Sequence, residues 1–83
     1  MSLVLDGTNG LSDIDGSAAT PAIRGTDTNT GIFFPAADTI AFAEGGAEAM
    51  RIDSSGNLGL GVTPSAWGSG TKAFQLQGGS LWS

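Results

Sequence analysis

The chain has 83 residues, of which 40% are apolar, 13% are charged and 14 are glycine; it has no cysteine, no histidine and a formal net charge of −5. These counts exclude disulfides, thiolate or imidazole metal sites and His-dependent nucleophile triads, and three basic residues are too few for a nucleic-acid or anionic-membrane partner. One domain of this size has a marginal core, and without a disulfide or structural metal the remaining staple is oligomerisation.

The N-terminal stretch "MSLVLDGTNG" has no basic region and only three consecutive apolar residues, so it does not read as a signal peptide. No run approaches the ~20 apolar residues of a membrane helix. Residues 1–29 read as an extended, loop-rich segment dominated by Thr, Asn, Asp and Gly. Leu3, Val4, Leu5, Leu11, Ile14 and Ile23 are spread through it. They are expected to cover part of any apolar sheet face, and the segment is expected to wrap around neighbouring chains. The run "DIDG" (residues 13–16) lacks the further oxygen ligands and the twelfth-place Glu of a calcium loop, and reads as a turn.

Residues 30–62 carry a period of two. Ile32 and Phe34, Ile40 and Phe42, Met50 and Ile52, and Leu58 and Leu60 are each two apart, with Gly, Pro, Asp, Asn and Ser between the pairs. The one Ala-rich candidate helix, "FAEGGAEAM", is interrupted by Gly45 and Gly46. The pattern predicts an antiparallel meander of four short strands over 30–35, 39–44, 48–53 and 57–62.

Register follows from the turns. In "DSSGN", a three-residue loop with Gly56 left-handed sets Ile52 opposite Leu58 and Met50 opposite Leu60, with Asp53 accepting from the turn backbone. A two-residue loop would scramble the faces. With "AAD" as a loop, Phe34 faces Ile40 and Ile32 faces Phe42. With "GGA" as a loop, Phe42 faces Met50 and Ile40 faces Ile52. That last join sets Glu44 against Glu48, which is unfavourable; a corner or bulge at Gly45–Gly46 is the alternative. Ile32, Phe34, Ile40, Phe42, Met50, Ile52, Leu58 and Leu60 then share one face, and this face is the predicted trimer interface. Three such sheets facing a common axis make a triangular β-prism.

Residues 63–83 read as a loop over 63–70 and one more strand near 71–77, and are expected to continue into a longer fibre. Trp67 and Trp82 are candidate glycan contacts, with packing of Trp67 between chains as the competing reading. The carboxylate pairs Asp13/Asp15 and Glu44/Glu48 read as solvated charges, and no catalytic, cofactor or metal residue is assigned. Arg51 is expected in a surface or interchain ion pair. The glycines at 56, 59 and 61 have the wrong spacing for a dinucleotide fingerprint.

The stretch "TPAIRGTDTNTGIFFPAADTIAF" followed by "EAMRIDSSGNLGLGVTPSAW" resembles a stalk segment that recurs in bacteriophage tail fibre and tail spike proteins. "AFQLQGGSLWS" resembles its usual continuation, so the resemblance spans about residues 8 to 83. It implies a homotrimeric, intertwined β-structure in a virion appendage that contacts the host surface. Its partners would be copies of itself, the remainder of the fibre and host surface glycan, with no nucleic acid and no membrane insertion. Assembly would take place in the bacterial host cytoplasm. The autocleaving chaperone domain found downstream in such fibres has a Ser/Lys dyad, and no counterpart of that segment is present in these residues. A carbohydrate-binding module using Trp67 and Trp82 is the alternative function, and a fibre-borne depolymerase a third.

Overall fold

A computed structural model describes residues 2–64 and 72–79. It is all-β, with eight short strands in two sheets. Strands β1 (Val4–Asp6) and β2 (Gly10–Ser12) form a separate two-stranded ribbon. Strands β3 (Ile23–Arg24), β4 (Gly31–Phe33), β5 (Ile40–Glu44), β6 (Ala47–Ile52), β7 (Leu58–Leu60) and β8 (Phe74–Leu76) form a six-stranded sheet in chain order. A short 3₁₀ turn, Gln77–Gly79, follows.

The meander from β4 to β7 is antiparallel, as its alternation requires. Ile32 pairs with Phe42, Phe42 with Met50, Ile40 with Ile52, Ile52 with Leu58, and Met50 with Leu60. The β6–β7 loop has three residues. Gly56 N–H donates to the Asp53 carbonyl at 2.9 Å, and Gly56 sits at φ +82°. Asp53 Oδ1 accepts from the Ser55 and Asn57 N–H groups at 3.0 and 2.9 Å. The β1–β2 loop is also led by an aspartate, with Asp6 Oδ1 accepting from the Thr8 and Asn9 N–H groups.

Three details differ from the expected pattern. The β4–β5 ladder stops at Phe33 opposite Ala41, one pair short of Phe34–Ile40. The Phe34 N–H donates instead to the Asp15 carbonyl at 2.8 Å, and Pro35 has no N–H to continue a ladder. The β5–β6 turn has two residues, Gly45 and Gly46, both left-handed at φ +60° and +84°. This is the pattern of a type I′ turn, which matches the strand twist and which glycine enters without a Cβ penalty. The register shifts beyond Phe42, where Met50 is followed by Glu48 opposite Ala43, so Ala49 is the extra residue of a bulge. Glu44 therefore meets Ala47 rather than Glu48. Finally, β8 pairs with β7 in parallel, so the sheet is not a pure meander.

The buried apolar residues are Phe33, Ala41 and Ala43, on the small-residue face. Segment 13–22 folds back over that face. Its Ala18 packs on the cluster, Gly16 bridges Pro21, and Pro21 is buried. Farther along the same face, toward β7, Pro64 is buried against Gly59. A Cβ on Gly59 would collide with the Val62 carbonyl oxygen and the Pro64 ring, so only glycine admits this covering. The N-terminal segment thus covers the small-residue face, while Leu3, Leu5 and Leu11 stay exposed.

Candidate assembly face

The opposite face carries the large apolar side chains, and cross-strand register aligns them. One row runs through Ile23, Ile32, Phe42, Met50, Leu60 and Leu76, one residue from each of the six strands. A second runs through Ile40, Ile52, Leu58 and Phe74. Each step is a direct cross-strand neighbour, about 4.5–5.5 Å between Cβ atoms.

The bulge makes this alignment possible. A two-residue turn alone would pair Phe42 with Ala49 and send Met50 to the other face. The extra residue at Ala49 restores Phe42 opposite Met50. It also places Glu48 on the same face as Arg51, since their partners Ala43 and Ala41 share a face. There Arg51 Nε and Nη2 donate to the two carboxylate oxygens of Glu48, both at 2.7 Å. The Arg51 ion pair therefore lies within the chain. Hydrogen bonding by Glu48 raises the guanidinium pKa above its ordinary value. The pair takes both charges away from the apolar rows.

Seven of the predicted interface residues, Ile32, Ile40, Phe42, Met50, Ile52, Leu58 and Leu60, lie in these rows. Phe34 lies just past the end of β4 and is half-buried. The rows remain open to solvent. Ile40 is 42% exposed, Ile52 38% and Leu60 43%. Over Ile32, Phe42, Met50 and Leu60 the surface is concave, with a volume of about 380 Å³. Sequence reasoning missed the two ends. Ile23 lay among loop residues, although it is the apolar partner of Ile32. Phe74 and Leu76 show the alternating spacing, but not the parallel pairing that joins them to the rows.

The last strand is anchored by a polar residue. Asn57 is buried, and its Oδ1 accepts from the Ala73 N–H at 2.8 Å. The Leu58 N–H donates to the Ala73 carbonyl at 2.8 Å, and Lys72 Nζ donates to the Ser55 carbonyl at 2.7 Å. These bonds start the parallel ladder that carries Phe74.

The other candidates do not converge. Among the described residues no group of three or more acidic side chains is placed to hold a metal ion. Glu44 is exposed opposite Ala47, and Glu48 is engaged by Arg51. Trp67 and Trp82 lie outside the described residues. No helix among the described residues is long and apolar enough to cross a membrane. Comparison with protein families, with curated proteins and with solved structures found no match.

Proposed function

We propose that this chain is a structural segment of a bacteriophage tail fibre, which trimerises through its apolar sheet face and supports attachment to the host surface. The observation that carries the assembly is the pair of apolar rows crossing the sheet, with Ile23, Ile40, Ile52, Leu60 and Phe74 exposed. Exposed apolar surface of more than a few hundred Å² marks an interaction site. The chain also needs such a contact. Its buried apolar core is Phe33, Ala41 and Ala43, and no large side chain among the described residues is fully buried. A core this small is marginal without further burial.

Identical copies suit the face because its two rows are apolar: the Arg51–Glu48 pair lies on the other side, and the strand charge on this face, Glu44, stands beyond Phe42 at the end of β5. Three sheets around an axis close the assembly and leave no apolar face open. The assignment to a tail fibre rests on the stalk-like stretches around residues 20–42 and 48–67. In that setting the partners are two further copies, the rest of the fibre and the host surface.

Light scattering with column separation, over a wide range of dilutions, tests the proposal. The expected result is a constant mass of three chains. A compact monomer at every dilution would overturn it.

A further inference from the structure

Three surface features stand at or beyond the ends of the rows. The β1–β2 ribbon pairs with neither edge of the six-stranded sheet. Two-stranded ribbons are marginal alone, and this one exposes Leu5 and Leu11 directly opposite each other, with Leu5 74% exposed. Between the ribbon and the β3 edge is an open cleft of about 430 Å³, walled by Leu3, Leu11, Ile14, Ile23 and Phe34, with Arg24 beside them. At the far edge of the same sheet stands Phe74, 58% exposed, the only exposed aromatic side chain among the described residues.

We infer that this cleft is the seat for Phe74 of a second copy of the chain, so that the β8 edge of each protomer docks at the β3 edge of the next. This rests on the assembly reading above and supplies its corner. A cleft at one edge and a projecting ring at the other make a heterologous, head-to-tail contact. Such contacts generate closed rings when the rotation closes. Apolar walls beside a guanidinium favour an aromatic occupant, since Arg24 can lie against the ring face.

Area points the same way. The rows without Phe74 offer on the order of 600 Å² per chain, taking large side chains at roughly 200 Å² each, whereas a stable interface takes about 800 Å² per partner. Adding Phe74 with Leu3 and Leu11 brings the total to about 900 Å² per chain, past that requirement. The second copy also finds its own Phe74 held in place, because β8 is fixed by Asn57.

The absence of native cysteine makes a direct test available. The full chain is made with Leu11→Cys and Phe74→Cys together and oxidised. Leu11 lies by β3, and β3 and β8 are five strand spacings apart, about 24 Å, so a disulfide, which needs Cα atoms within roughly 7 Å, can only join two chains. The expected product is a covalently closed ring of chains on a non-reducing gel, with peptide mapping that shows positions 11 and 74 linked. In parallel, Phe74→Ser should raise the concentration at which the assembly dissociates at least tenfold; the side chain is exposed in the single chain, so the variant keeps its fold. An assembly that persists without any 11–74 linkage, and with Phe74→Ser unchanged, overturns the corner while the sheet-face reading stands. A wild-type monomer at every dilution overturns both.

Discussion

Asn57 does two jobs that its neighbours cannot. Its main chain closes the Asp53 turn, with the Asp53 N–H donating to its carbonyl at 3.0 Å, and its side chain starts β8. A buried N–H left without its acceptor costs about 1–3 kcal/mol. Asn57→Ala is therefore expected to lower stability by about that amount and to speed hydrogen exchange at Ala73 and Leu58 first. Unchanged exchange at both amides would contradict this role. Asp6 offers a pH test. Its carboxyl is held below the ordinary 3.8, first by the Asn9 N–H and then by the Thr8 N–H. A lowered folded pKa means the contribution is complete above 3.8 and is lost as pH falls through the lower folded value. The Thr8 and Asn9 amide shifts should accordingly titrate with a midpoint below 3.8. A midpoint at or above it would mean that these bonds do not form in solution.

At the scale of elements, the β5–β6 hairpin shows how turn and bulge cooperate. Gly46 sits at φ +84° with open space around it, since a Cβ there would come no nearer than 3.7 Å to the Asn29 side chain. Any cost of substitution is thus backbone cost. Gly46→Ala is expected to destabilise the fold by about 1–2 kcal/mol, and Gly46→Asn by less, because Asn tolerates the left-handed region. Equal losses in denaturant titrations would point to a different turn. This hairpin also marks how far the sequence could be read. The registers of β4 to β7 were legible because large apolar residues alternate between turn formers, and a one-residue slip would have scattered them. The bulge was only one of two options, since an extra residue at Ala49 leaves the alternation of Met50 and Ile52 intact. The parallel run of β8 was not legible, because a three-residue alternating strand carries no direction. Nor was the site of the core, because Ala18, Ala41 and Ala43 give little hydropathy signal. The ribbon of β1 and β2 was hidden by the Gly and Asp around its leucines.

For the whole molecule, the division of labour between the two faces is the main result. Small residues bury the chain's own connections, while large ones remain available. Ile52 lies in the second row with Ile40 and Leu58 as its neighbours, and is 38% exposed in the single chain. A charge there is tolerable in water but costly in a dry interface. Ile52→Asp is expected to abolish assembly, with a fall in melting temperature, because the small core must then hold the chain by itself. Light scattering and calorimetry on the same sample check both. A trimer that survives the substitution, or a free chain as stable as the wild-type assembly, would sink the interface. The strand order of the large sheet bears on how the protein comes to exist. Every strand from β4 to β8 pairs with the one made just before it. Pairing between successive segments closes short loops, and chains rich in such local contacts fold fast. The sheet can therefore zip up in the order of synthesis, without waiting for any distant segment. Docking of copies, in the proposed trimer, would be a second-order step whose rate falls with dilution. Under that proposal each newly made chain would pass through an interval as a finished sheet with its greasy side bare, and the concentration of nascent chains would set how long that interval lasts.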